Sequence, residues 1–228
     1  MKINLSDRTA IVTGSTAGIG RGAADGLARA GASIVINGRT QARVDKALQQ
    51  MRTEFPQATI TGIAADLATA EGANALIAQA PDADILVNNV GTAFLRDYNG
   101  IDDIAAIPDE DWLGLFQLNV MSGVRLSRHY LPRMVGKGWG RVVFVGSESG
   151  VNIPKEMLDY GMTKTAQLAV SRGLAEAVAG TGVTVNAVLP GQPVPRSSAT
   201  TWQSKRRRTA LPSRRPSRVF CRRFARPA

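Results

Sequence analysis

Tyr160 and Lys164, four residues apart in "YGMTK", are a pair of residue types that can move a proton. On a helix this spacing puts both side chains on one face, about a turn apart. A free phenol titrates near 10, roughly three units too high for a base at neutral pH. A neighbouring ammonium, helped by a cationic nicotinamide, favours the phenolate. Lowering the phenol by ~3 units takes about 4 kcal/mol of differential interaction. Such a tyrosine can exchange a proton with an alcohol or carbonyl oxygen while hydride passes to or from a cofactor. Ser147 precedes Tyr160 by 13 residues, at the end of the apolar run "RVVFVGS". A hydroxyl there can orient and polarise the substrate oxygen.

A second chemical signature lies near the N-terminus. "TGSTAGIG" supplies Thr13, Gly14, Ser15, Gly18, Ile19 and Gly20 directly after the apolar run "TAIV". Glycines at a strand-to-helix turn let the backbone bend sharply and admit a pyrophosphate. The helix that follows offers unpaired N–H groups and a positive dipole end to the anion. The second apolar run ends "INGRT", with Arg39 where many NAD sites place an acid for the ribose. A forked cation there favours NADP(H). NAD(H), with Arg39 a solvated surface residue, is the alternative.

These residues need a scaffold, and the rest of the sequence supplies its pattern. Short apolar runs at 9–14, 33–37, 58–67, 84–89, 141–147 and 183–190 alternate with helical periodicity. Helices are expected at 18–32, from Thr40 through Met51, at 70–80, at 109–135 and at 155–179. Unbroken apolar strands alternating with helices indicate a parallel sheet covered on both faces. The expected fold is therefore α/β: a doubly wound, Rossmann-like, three-layer sandwich of about six strands. Ligands of such sheets bind outside the C-terminal strand ends, where Ser147 falls.

The chain has 228 residues and a formal net charge of +10, but the charge is unevenly placed. Residues 1–191 hold 17 basic and 18 acidic side chains, whereas residues 192–228 hold 11 basic and none acidic. The balanced part does not suggest a nucleic-acid binder. The N-terminal apolar run is too short for a signal peptide and no run is long enough to span a membrane, so a cytoplasmic protein without a membrane partner is expected. Cys221 is the sole cysteine, which rules out an intrachain disulfide. His129 lies mid-helix and reads as a helix histidine, Trp112 and Phe116 as packing residues, and no cluster has metal-ligand spacing.

In order along the chain, "TGSTAGIG", "ADL" with Asp66, "LVNNVG", "LNV" with Asn119, Ser147, "YGMTK" and "PG" (190–191) resemble the classical short-chain dehydrogenase/reductase family, 3-oxoacyl-carrier-protein reductases among them. The resemblance covers about residues 5 to 191. It implies that Asp66 and Leu67 flank the adenine, and that Asn88 stabilises the central sheet. It implies that Asn88, Asn89, Val90 and Gly91 line the cofactor cleft, with Val90 where the family usually has Ala. It also implies that Asn119 holds a helix kink and a water linking Lys164 to solvent. Ser147, Tyr160 and Lys164 would complete the catalytic set, with Lys164 and Tyr160 also on the nicotinamide ribose and Pro190 and Gly191 beside it. The longer loop after "NNVG" would shape the substrate pocket. Family members pair through the two long helices into dimers or tetramers.

After Gly191 the family pattern stops being readable. Five prolines, scattered arginines and no long apolar run predict disorder over 192–228. The resemblance implies a closing segment, a helix and a seventh strand there, so the seventh strand is expected to be lost. "GQPVPR" is what the family-like "GPTRSE" becomes when one base is missing after the Gly191 codon, consistent with a shifted reading frame. The sequence thus divides into a catalytic domain over 1–191 and a basic tail over 192–228. Three functions remain open: an NADP(H)-dependent oxidoreductase on a carbonyl/alcohol pair, a catalytically impaired nucleotide-binding remnant, and a nucleic-acid-associated protein using the tail.

Overall fold

The computed structural model describes residues 3–93 and 101–191. The expectations for the tail and for part of the loop after "NNVG" lie outside the described residues. The six strands are β1 (Thr9–Val12), β2 (Ser33–Gly38), β3 (Ile60–Ala64), β4 (Ile85–Asn88), β5 (Gly140–Val145) and β6 (Val183–Val188). They form one parallel sheet in the order β3-β2-β1-β4-β5-β6. The order reverses between β1 and β4, which opens a crevice at their C-terminal ends.

The crossovers are α1 (Gly18–Arg29), α2 (Gln41–Glu54), α3 (Ala70–Gln79), α4 (Ile101–Ala105), α5 (Asp109–Phe116), α6 (Ser122–Gly136) and α7 (Leu158–Ala177). Alternate strand residues point to opposite faces, so two cores form. On one face Ala10, Val12, Ile34 and Ile36 pack against Ala24 and Ala28 of α1 and Ala47 and Met51 of α2. On the other, Ile11, Val35, Leu86, Val142 and Phe144 pack against Leu76 of α3 and Leu126, Tyr130 and Met134 of α6. On β6, Val183 and Val185 are buried, whereas Thr184, Asn186 and Val188 are exposed.

Two helices differ from the periodicity. The single helix expected over 109–135 is split by a π turn, Gln117–Met121, with Asn119 at its centre. The helix expected from 155 begins with a separate 3₁₀ turn, Lys155–Met157. The short α4 in the loop after β4 carries no strong periodic signal and was not anticipated.

Candidate active site

The loop between β1 and α1 is built by its backbone. Gly14 and Gly18 both have φ of 60°, the left-handed region that glycine adopts without strain. Ala17 at the N-cap is extended, no side chain caps α1, and its first turn carries no acid. The first N–H groups of a twelve-residue helix are therefore offered to a ligand rather than to the protein's own side chains. Arg21 is turned away, paired with Asp25 at 2.7 Å and Glu54 at 2.8 Å. These features fit a pyrophosphate: an uncapped helix end, open backbone and no opposing anion.

Several motif residues hold this loop instead of facing the cleft. Thr13 is fully buried, and its hydroxyl accepts from the N–H groups of Asn89 and Val90, both at 2.9 Å. Ser15 is also fully buried, donating to the Val12 carbonyl at 2.6 Å and accepting from the Asn37 N–H at 3.0 Å. Their side chains are spent on the fold, so only their backbone is left for a cofactor. The Asn89 amide clamps the loop by donating to Thr13 O at 2.8 Å and Gly14 O at 3.1 Å. Asn37, read from sequence only as the absence of an acid, bonds Gly14 on one side and the Ile63 and Ala65 carbonyls on the other.

A Cβ added at Gly20 would lie 2.5 Å from the Gly14 carbonyl, inside any tolerable contact. Gly20→Ala must therefore displace the loop. The expected result is a loss of about 1–3 kcal/mol of stability together with weakened NADPH binding, checked by urea unfolding and fluorescence titration.

The adenine end is more open. Asp66 is exposed, its carboxylate accepting from the Ala68 N–H at 3.1 Å in a local turn. The Leu67 side chain is buried in the core, so the residue can meet an adenine only through its backbone. Arg39 is exposed directly after β2. A second cleft of about 440 Å³ is lined by Thr16, Ala17, Arg43 and Lys46. Arg43 and Lys46, three apart on α2, were not singled out by sequence. Their positions about one and two turns beyond Arg39 were the available signal.

The catalytic candidates meet across the crevice. A cleft of about 380 Å³ is bordered by Gly14, Ile19 and Gly20 on one side and by Gly91, Tyr160 and Lys164 on the other. Ser147 closes the end of β5, its Oγ accepting from the Ser149 N–H at 3.1 Å. The Pro190 carbonyl accepts from the Glu148 N–H at 3.1 Å, which brings "PG" against the same turn. Burial pushes the Tyr160 phenol above its ordinary value, and a hydrogen bond with Ser147 pulls it partly back.

Within the protein alone, the ammonium four residues along does not outweigh burial at the phenol. The Lys164 Nζ lies 5.4 Å from the centroid of the Tyr160 ring and is turned toward the protein, donating to the Val145 carbonyl and to Gln167 Oε1, each at 2.9 Å. Its charge does not offset the desolvation of the phenol. The ammonium is itself only 3% exposed, and burial lowers its pKa to about 8. Two of its three N–H donors are engaged; the residue borders the cleft with the third available.

Asn119 lies at the kink the resemblance implied. Its side chain accepts from the Thr92 N–H and donates to Thr92 O and Thr163 Oγ1, all at 2.9 Å. Its carbonyl accepts from Gln167 Nε2 at 2.6 Å. The link between Asn119 and Lys164 thus runs through the Gln167 side chain. Sequence reasoning missed Gln167, although a lone amide in "TAQLAV", three residues after Lys164, falls on the same helix face. His129, set aside earlier, meets the Pro81 carbonyl at 2.9 Å.

The chain is 46% identical over 191 residues to the "Uncharacterized oxidoreductase YvaG" of Bacillus subtilis (strain 168), covering 84% of this chain and 70% of that protein. It is 43% identical over 194 residues to the "Uncharacterized oxidoreductase YvrD" of the same organism, at 84% and 70% coverage. Among solved structures, the L-sorbose reductase from Gluconobacter frateurii, complexed with NADPH and L-sorbose, superposes with a TM-score of 0.78 at 31% identity, covering 92% of this chain and 79% of that one. A family model described as short chain dehydrogenase matches residues 8–205, past the Gly191 at which the motifs end. The sheet order, the uncapped glycine loop and these matches agree, and the chain belongs to the short-chain dehydrogenases, a family of NAD(P)-dependent oxidoreductases.

Proposed function

We propose that this oxidoreductase interconverts a small ketone, such as a 3-oxoacyl thioester, and its secondary alcohol, with NADP(H) preferred and Tyr160 as the general acid/base. The observation that carries the reading is the convergence of Tyr160, hydrogen-bonded to Ser147, and Lys164 on the same cleft as the uncapped N-terminus of α1. NADP(H), when bound, supplies or takes up the hydride. Ser147 Oγ donates to the substrate oxygen and fixes its position. In reduction Tyr160 Oη gives its proton to that oxygen; in oxidation it takes the proton back. A phenol raised by burial is protonated at neutral pH, so the resting site is poised for reduction. Lys164 uses its remaining N–H toward the ribose hydroxyls. Gly14, Gly18 and Gly20 shape the pyrophosphate berth, with Asn89 and Gly91 along the cleft and Pro190 and Gly191 at its far rim.

The NADP(H) preference is supported by the absence of an acid at the end of β2, by Arg39 there, and by Arg43 and Lys46 beside Ala17. The sorbose reductase neighbour, complexed with NADPH, points the same way. Arg39→Ala should weaken NADPH binding by about 10–100-fold, the value of a charge-assisted contact, and leave NADH nearly unchanged. Fluorescence titration of both nucleotides measures it; equal loss for the two would remove Arg39 from 2′-phosphate recognition. A ketone panel run with the preferred nucleotide tests the activity. Tight NADPH binding without turnover of any ketone would favour the impaired nucleotide-binding alternative.

The resemblance to a family of dimers and tetramers supports self-association through α5, α6 and α7, where Leu113 is exposed and Trp112 and Phe116 are half-buried. Among the described residues no helix is long and apolar enough to cross a membrane. A small-molecule substrate and a cytoplasmic setting complete the reading; the balanced charge of residues 1–191 speaks against nucleic acid as the main partner.

A further inference from the structure

Gln167 is 1% exposed and lies on α7 one turn beyond Lys164. Its two amide atoms can be told apart by their partners. An ammonium only donates and a carbonyl only accepts. The atom 2.9 Å from Lys164 Nζ is therefore Oε1, and the atom 2.6 Å from the Asn119 carbonyl is Nε2. The Asn119 side chain continues the chain of bonds to both backbone groups of Thr92, in the loop that borders the cleft. Every joint in this series, from ammonium to loop, is a direct hydrogen bond between protein groups.

We propose that Gln167 is the positioning residue of the lysine: its amide oxygen, anchored through Nε2 on the π-turn carbonyl of Asn119, holds the Lys164 ammonium in place beneath Tyr160 and keeps it charged. The catalytic meaning of this rests on the proposed function; the charge on Lys164 does not. Around the ammonium stand the Tyr160 ring on its own helix and the Val145 carbonyl from β5, while a Cβ added at Gly91, in the loop after β4, would lie 3.5 Å from Nζ and 3.1 Å from Asn119 Oδ1. The turn at Gly150 packs on the lysine backbone. Tyr160 is the titratable member of this set, and burial alone accounts for the lowered lysine. With no carboxylate as partner among the described residues, each neutral acceptor matters. An amide also has no acidic proton to exchange, so Gln167 orients the ammonium without offering its proton a route into the interior.

Removing the acceptor and adding charge to it should move Lys164 in opposite directions. Protein labelled with ¹³C at lysine Cε reports the ionisation by NMR, with Lys164→Arg assigning the signal. The parent midpoint is expected near 8. Gln167→Leu should lower it by about one unit, and Gln167→Glu should raise it by about one unit or more. Gln167→Met, closer in shape, serves if the leucine variant does not fold. Midpoints that stay with the parent, or that move the same way in the Leu and Glu variants, overturn the proposal. Opposite shifts without turnover of any ketone would uphold it and count against the proposed function alone. Turnover with unmoved midpoints would do the reverse.

Discussion

Tyr160→Phe should lower ketone reduction by about 10²–10⁴-fold while NADPH binds as before. The substitution removes one oxygen from a half-buried ring. The ring stays in place, with the Lys164 Nζ 5.4 Å from its centroid. The phenol contributes no backbone tie to the glycine loop, which is held by Thr13, Ser15, Asn37 and Asn89. Stability should therefore change little, and the loss should fall on the chemical step. Because burial raises the phenol, the Tyr160 proton should be retained through neutral pH, and the parent's reduction rate should decline in alkali, first as Lys164 loses its charge from about pH 8 and then as the phenol loses its proton. Single-turnover NADPH oxidation separates binding from chemistry. Undiminished reduction by the phenylalanine variant would end the role given to Tyr160.

Lys164→Met should also abolish turnover, and it should change how stability follows pH. The lysine titrates at about 8 in the folded protein against 10.5 for the free group. Between those values the unfolded chain holds a proton that the folded chain has released. Stability of the parent therefore rises with pH across this window. Below pH 8 both states are charged and the burial cost is fully felt, about 3 kcal/mol on this shift. The methionine variant lacks the titration, so the parent should gain on it by about 2 kcal/mol from pH 7 to pH 10. Urea unfolding at several pH values measures the difference. Parallel curves for the two proteins would place the buried charge elsewhere.

Sheet and loop motifs were legible because their physics is local. Six apolar runs marked the strands, and "TGSTAGIG" between a strand and a helix marked the glycine turn that opens α1. What a side chain in a motif does with its polar atom was not legible. Thr13 and Ser15 stand where a ligand contact is natural, yet their hydroxyls answer backbone groups that only the folded sheet brings near. Leu67 follows the same rule, since its position beside Asp66 says nothing of the core it enters. The balance of burial and charge at Tyr160 within the protein alone was not legible because a four-residue spacing fixes the distance between two helix positions but not where a flexible ammonium points. Gln167 escaped notice for a related reason: its partners, Lys164 and Asn119, are respectively 3 and 48 residues away.

The π turn at Gln117–Met121 has a consequence for the segment it interrupts. A turn that takes in one additional residue advances the chain by about 100° relative to a regular helix. Leu115 before the turn and Leu126 after it are both buried, and Asn119 between them reaches sideways to Thr92 and Thr163. The turn works as a phase adjuster between two rigid rods, and its irregular carbonyls are taken up by Ser122 and Gln167. Deleting a single residue there would bring the rods back into step and swing the 119 side chain away from the crevice, with each rod still intact.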